Sequence, residues 1–271
     1  MLMLNNKKVG FIGAGAMAEA MLKGLLEIGI LTASQCMLSD ISEQRLQYLS
    51  NQYGVSVTQD NLALVKHSDI LILAVKPQII GKVLDEIAPT VDKRTLVISI
   101  AAGICLSRLE ETLQGVRVLR VMPNTPVAVS AGMAAISLGN LATKEDGQLA
   151  VKLFEAVGRA VIVAEYLMDG VTGLSGSGPG YAFVIIDALA DAGVLVGLNR
   201  QTAILLAAQT LMGAAKMVLE TGEHPAKLRD MVTSPAGTTI AGIHVLEQNG
   251  LRTALIDAVV EASKRSSEMN K

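Results

Sequence analysis

Val9-Gly-Phe-Ile-Gly-Ala-Gly-Ala-Met-Ala18 joins a short apolar run to the start of a helical pattern, and its reading decides the fold. Within it, Gly13-x-Gly15-x-x-Ala18 stands where a strand turns into a helix. Gly13 permits the tight turn, Gly15 lets the backbone approach a pyrophosphate, and Ala18 allows close helix–strand packing. Ala16 and Met17, between them, count with the glycines as cofactor contacts. The pattern alone has many false matches, but its place after an N-terminal β-run reads as dinucleotide binding.

Downstream, short apolar runs alternate with helical patterns, as in parallel α/β sheets. Strands are expected at Lys8–Ile12, Cys36–Asp40, Ile70–Val75, Leu96–Ile100 and Val116–Met122, with two more around Gly132–Ser137 and Ala160–Val163. Helices are expected at Met17–Ile28, Glu43–Gln52, Asn61–His67, Gln78–Ile87 and Lys144–Val157. After Glu165 the strand signal stops. Helices follow at Asp169–Val196 (interrupted at Ser175–Gly180), Arg200–Thr221, Pro225–Met231, Thr239–Asn249 and Leu251–Glu268. Gly197 and Gly222 suit helix ends, and Pro225 suits a helix start. The expected fold is α/β: a Rossmann-type doubly wound parallel sheet over residues 1–166, then an all-helical domain over residues 167–271.

Composition narrows the function. A net charge of −2 gives no electrostatic footprint for nucleic acid, and 3% aromatics without Trp give no base-stacking platform. Cys36 and Cys105 lack disulfide or metal spacing and read as fillers in a reducing compartment. His67, His224 and His244 show no metal spacing, so no metal is expected. Met1–Lys8 is too short for a signal peptide, and the uncharged run Val121–Thr143 is broken by Pro123, Asn124 and Pro126, against a membrane span. A cytoplasmic location is expected. The helix Arg200–Thr221 is apolar almost all round and rich in Ala and Gly, which calls for a second copy packed against it.

A second chemical motif is Thr233-Ser-Pro-Ala-Gly-Thr-Thr239, directly before an apolar helical pattern. A helix N-terminus offers unpaired N–H groups and the positive end of the macrodipole to a small anion. Gly237 allows close approach, and the Thr238 and Thr239 hydroxyls can cap the helix or donate to a ligand. At the end of the second strand, Asp40 can accept from adenosine ribose hydroxyls and repel a 2′-phosphate, or can simply cap the next helix. Ser39, Ser42 and Arg45 are available to a phosphate. Ala74, Val75, Lys76 and Pro77, at the carboxyl end of a parallel strand, face the ligand crevice, although Lys76 also fits a solvated surface charge. Gly176, Gly178, Pro179 and Gly180 should bend or unwind the helix they interrupt.

The run Asp230–Glu247 closely resembles the signature of the pyrroline-5-carboxylate reductases, with Ala236 where the family usually has a first glycine. The turn at Gly13–Ala18, Asp60-Asn61, Leu73–Gln78, Arg120–Pro126 and Leu174–Tyr181 are similar too. This resemblance implies reduction of a cyclic imino acid to proline. It implies cofactor contacts at Asn61, Ala74–Pro77, Ala101, Ala102 and Gly103, with Pro123 and Asn124 near the nicotinamide. It also implies substrate contacts at Ser177 and Pro179, and homodimers through the helical domain assembled further, up to a decamer of dimers. The family leans to NADPH and Asp40 to NADH, so the preference stays open.

The sequence offers no His, Lys or carboxylate pair inside the substrate motif. An imine, which arrives protonated, needs only orientation and a hydrogen-bond partner. Ser234 with the Gly237 and Thr238 backbone would hold its carboxylate, and the Thr239 hydroxyl would meet the ring nitrogen as the catalytic contact. Two rivals are weighed beside this reading. A β-hydroxyacid dehydrogenase uses a Lys on the interdomain helix, and no Lys occurs between Lys152 and Lys216. A non-catalytic nucleotide sensor would have no need of the polar run Thr233–Thr239.

Overall fold

Val9–Ile12 is buried at every position and forms β1, the first strand of the sheet. This computed structural model describes residue 4 and residues 7–269, so most of the stretch Met1–Lys8 lies outside the described residues. After β1 come α1 (Ala16–Glu27), β2 (Cys36–Ser39), α2 (Glu43–Tyr53), β3 (Ser56–Thr58), α3 (Asn61–His67), β4 (Ile70–Leu73) and α4 (Pro77–Ile87). β5 (Leu96–Ser99), α5 (Leu106–Thr112), β6 (Arg117–Met122), β7 (Gly132–Leu138), α6 (Lys144–Glu155) and β8 (Gly158–Ile162) complete the α/β part.

The strands lie in the order β3-β2-β1-β4-β5-β6-β7-β8. β1 pairs in parallel with both β2 and β4, so the order reverses beside it and opens a crevice at the carboxyl ends of these strands. Both sheet faces are covered. One core joins Phe11, Met21, Leu22 and Leu25 with Ile98, Leu119 and Phe154, and the other joins Ile12, Leu71 and Leu73 with Ile80, Leu84 and Leu109. The buried residues of α4 (Ile80, Val83, Leu84, Ile87) recur at helical spacing, which lays one face on the sheet.

β7 runs antiparallel to β6, a departure from an all-parallel sheet. The link between them holds only a short 3₁₀ turn, Thr125–Val129, too little chain for a crossover. β8 then returns parallel to β7 through α6. α6 starts with a reciprocal capping box between Thr143 and Asp146. Arg120, 6% exposed on β6, pairs with Glu165 at 3.1 Å, and the same carboxylate accepts from the Leu106 N–H at the head of α5.

Among the described residues every regular element beyond β8 is helical: a 3₁₀ turn at Glu165–Leu167, α7 (Met168–Val171), a π-helical turn at Thr172–Gly176, α8 (Gly178–Leu195), α9 (Arg200–Thr221), α10 (Pro225–Met231), α11 (Thr238–Gln248) and α12 (Leu251–Met269). The interruption near Ser175 is therefore a widened π turn, with Pro179 in the first turn of a fresh helix where its missing N–H costs nothing. Asn199 caps α9, and Gly222 in the left-handed conformation ends it.

The chain divides into two units, Met1–Gly176 with Ala262–Lys271, and Ser177–Glu261. In the second, α8 and α9 meet closely where a side chain on Gly193 would lie 2.8 Å from the Ala203 methyl. Yet only Ala190 of α8 and Ala203 and Ala207 of α9 are buried, while Phe183, Val184, Leu205 and Met212 are exposed. The helical stretches Glu165–Leu195 and Arg200–Thr221 are long and apolar enough to cross a membrane by length and composition alone.

Candidate active site

The glycine-rich turn is built as its sequence requires. Gly13 has φ +96°, and a side chain there would lie 2.7 Å from the Ala74 carbonyl oxygen. Gly15 heads α1 with no side-chain cap and nothing within 4 Å of where a Cβ would sit. The head of α1 therefore has room beside Gly15 and no side-chain cap on its first N–H groups, a fit for an anionic diphosphate. Ala18, wholly buried, packs against the sheet. In front of the turn lies a cleft of about 330 Å³, lined by Gly15–Met17, Ala74–Pro77, Ile100–Ala102, Met122 and Pro123. Four separate chain segments singled out from the sequence thus converge on one cavity. Lys76 stands exposed as the residue that caps α4, with Pro77 following it in the first turn.

At the end of β2, Asp40 is held by two backbone donors: the Ala14 N–H at 2.9 Å and the Ser42 N–H at 3.0 Å. Ser42, not Asp40, caps α2, its hydroxyl accepting from the Arg45 N–H. Ser39 is 1% exposed, and its hydroxyl donates to Asn61 Oδ1 at 2.7 Å. Asn61 in turn donates to Glu86 at 3.0 Å, so Ser39 braces Asn61 beneath the surface. Arg45 donates to the Ala14 carbonyl at 2.7 Å and is ion-paired with Glu19. Glu19 has no place among the residues that the sequence picked out, because a glutamate in a helix is ordinarily a solvated charge. Only the fold shows that it meets a residue far along the chain.

On the other side of the cleft, Ala101 is buried, while Ala102 and Gly103 (φ +72°) are partly open. Pro123 is buried at the end of β6. The Asn124 side chain is already engaged: its amide donates to the Ser175 carbonyl at 2.9 Å and its oxygen accepts from the Met133 N–H at 2.8 Å. It is a strut between the end of β6 and the π turn.

The remaining residues belong to the second unit. Ser177 and Pro179 open α8 and are partly buried, and the Gly180 N–H bonds the Ser177 carbonyl. Ser234-Pro-Ala-Gly237 is a tight turn closed by the Gly237 N–H on the Ser234 carbonyl at 3.0 Å. Ala236 has φ +55° at its third position, as a type II turn demands. A side chain on Gly237 would lie 2.3 Å from Ser234 Oγ, so it would displace that hydroxyl from its present position. α11 has Gly237 as its cap with no side-chain bond. The Thr238 and Thr239 hydroxyls therefore do not cap the helix, because both lie inside its first turn. Ser234, Thr238 and Thr239 are exposed.

Comparison with known proteins matches residues 165–269 to the family described as "Pyrroline-5-carboxylate reductase dimerisation", and residues 8–103 to "NADP oxidoreductase coenzyme F420-dependent". A pyrroline-5-carboxylate reductase of Methanosarcina acetivorans is 52% identical over 99% of this chain and 100% of its own. The solved structure of a Coxiella burnetii pyrroline-5-carboxylate reductase has a TM-score of 0.94 at 38% identity, covering 98% of this chain and 100% of its own. A Plasmodium falciparum pyrroline carboxylate reductase, solved with NADP bound, has a TM-score of 0.87 at 31% identity, covering 98% and 99%. The two membrane-length helical stretches fall wholly within the residues matched to the dimerisation family.

Proposed function

The chain belongs to the pyrroline-5-carboxylate reductase family, and from that premise we infer that it reduces the C=N bond of Δ1-pyrroline-5-carboxylate to give L-proline, with NADH or NADPH as reductant. The observation that carries this is the likeness over nearly the whole chain to reductases of that one activity. The nicotinamide cofactor, when bound, supplies the hydride.

The protein's own residues do the rest. Gly13, Gly15, Ala16 and Met17 receive the diphosphate, an assignment supported by the uncapped head of α1. Asp40, with Asn61 behind it, serves the adenosine end. Ala74–Pro77, Ala101, Ala102 and Pro123 wall the cleft, with Gly103 following in the same turn, and Asn124 keeps the β6 end and the π turn in register. In the helical unit, Ser234 and the Gly237 and Thr238 backbone anchor the substrate carboxylate, beside Ser177 and Pro179. Thr239 hydrogen-bonds the ring nitrogen. The glycine cap of α11 supports this, since it leaves the first N–H groups of that helix without an internal side-chain partner. A protonated imine needs no strong acid, which agrees with a motif holding hydroxyls and no His, Lys or carboxylate.

Residues 1–166 serve as the dinucleotide domain and residues 167–271 as the dimerisation and substrate domain. Oligomerisation runs through the helical part. Within the proposal the unit is a homodimer, built up to a decamer of dimers, in the cytoplasm. The exposed apolar side chains of α8 and α9 support association with a second copy and account for membrane-length hydropathy without a membrane. The absence of any Lys between Lys152 and Lys216 argues against a β-hydroxyacid dehydrogenase. A turnover assay decides. Cofactor oxidation should follow addition of Δ1-pyrroline-5-carboxylate and not of β-hydroxyacid or ketoacid pairs. Cofactor binding without turnover would make the protein a sensor.

A further inference from the structure

The adenosine end of the dinucleotide turn has an arrangement of charge that a sequence motif does not convey. Asp40 is fixed by the Ala14 and Ser42 N–H groups, one to each carboxylate oxygen, at the carboxyl end of β2. A carboxylate oxygen accepts more than one bond, so both retain capacity for a donor. Ile41, beside it, is 94% exposed and brings no charge. Arg45 is the sole cation in the stretch from Asp40 to Arg45. Its Nε donates to the Ala14 carbonyl, a terminal nitrogen pairs with Glu19, and its guanidinium lies 5.2 Å from the Tyr48 ring centroid. Glu19 is itself secured by the Tyr53 hydroxyl, which donates to its other oxygen at 3.0 Å.

Asp40, Glu43 and Glu19 thus set three carboxylates against one guanidinium already paired and anchored. A ribose diol arrives with two O–H donors and no charge, which suits an acceptor-only carboxylate. A 2′-phosphate arrives with about −1.5 to −2 charge and no donor, and meets a net negative edge. We propose that Glu19 is a specificity-determining residue. By holding Arg45 against the glycine-rich turn, it leaves Asp40 to receive the ribose, and the protein selects NADH over NADPH.

The proposal rests on the dinucleotide reading of this turn, and binding tests the two separately. Full-length protein is titrated with NADH and with NADPH, in the absence of substrate, and followed by the fluorescence of the reduced nicotinamide. NADH should bind at least about ten-fold tighter. Glu19→Gln removes the charge that holds Arg45 and should narrow the ratio about ten-fold, chiefly by improving NADPH. Arg45→Gln should leave the ratio near that of the unmodified protein, and the double variant should lose the Glu19→Gln gain. Equal or tighter NADPH binding by the unmodified protein overturns the proposal. So does a Glu19→Gln protein of native circular dichroism whose ratio is unchanged. Failure to bind either dinucleotide overturns the underlying reading instead.

Discussion

Single residues decide how the turn from Ser234 to Gly237 is held. Ala236 occupies a left-handed conformation, φ +55°, that costs an L-residue roughly 1–2 kcal/mol. Ala236→Gly removes this cost but frees the unfolded chain, so a net gain of about 0.5–1 kcal/mol is expected, read from urea midpoints. A lower midpoint would mean that the alanine methyl makes a contact worth more than the strain. At Thr239, the loss of one hydrogen bond to a charged or developing group is worth about 1.5–3 kcal/mol. Thr239→Val should therefore lower kcat/KM roughly ten- to a hundred-fold, with cofactor affinity unchanged. A folded variant with near-normal kcat/KM would leave Thr239 outside the mechanism. Glu19 carries a pH signature. Burial works against its charge, but the hydrogen bonds from Arg45, Tyr53 and Tyr48 outweigh it and lower its pKa, while the Tyr53 hydroxyl is pushed up to about 12 by burial and by that bond. A lowered carboxyl pKa stabilises the fold above the ordinary glutamate value and ceases to do so as pH falls through the lowered one. The stability difference between the protein and its Glu19→Gln variant should shrink in acid. A difference that grows in acid would reverse the assignment.

Among elements, the β7–β8 pair has the narrowest tolerance. Gly158 has φ +153° and faces Gly132 in the register, where a Cβ would lie 2.0 Å from the Gly132 oxygen. No flexible side chain is there to yield. Gly158→Ala should cost at least about 2 kcal/mol, against about 1 kcal/mol for Gly29→Ala, which has φ +69° but open space. Equal losses in thermal or urea unfolding would show that the pairing relaxes freely. Seven of the eight strands were legible because continuous apolar runs such as Ile70–Leu73 have few other homes than a covered parallel sheet. β3 escaped notice because Ser56-Val-Thr58 is short and polar, its pairing with β2 supplying what its composition does not. α5, also short, begins where Glu165 accepts from its first N–H, a partner distant in sequence. The direction of β7 and the π turn at Thr172–Gly176 were likewise set by connection length and packing rather than by local pattern. The cleft was readable segment by segment, since strand ends in this topology share one edge. The Glu19–Arg45–Tyr53 cluster was not, since it joins α1 to α2 through space.

For the whole molecule, the second unit leaves its own apolar surface uncovered. Leu205, Met212 and Leu219 recur every seven residues along α9, and all three are more than half exposed. Sedimentation should find no stable 28.4 kDa species at micromolar concentration, and the thermal midpoint should rise with protein concentration. Met212→Glu, which places a charge in this stripe, should release monomers or drive precipitation. A stable, soluble monomer of the unaltered chain would refute an obligate dimer. The far end of the chain has a different consequence. From Ala262 onward α12 counts with the first unit, where Ser266, 8% exposed, donates to Asp169 at 2.6 Å. Ribosomes make proteins from the other direction. The part that starts with the first strand therefore receives its closing piece last, after α8 to α11 have already emerged. A nascent chain can close the Ser266–Asp169 contact of its nucleotide-binding half only after its assembly half has been made.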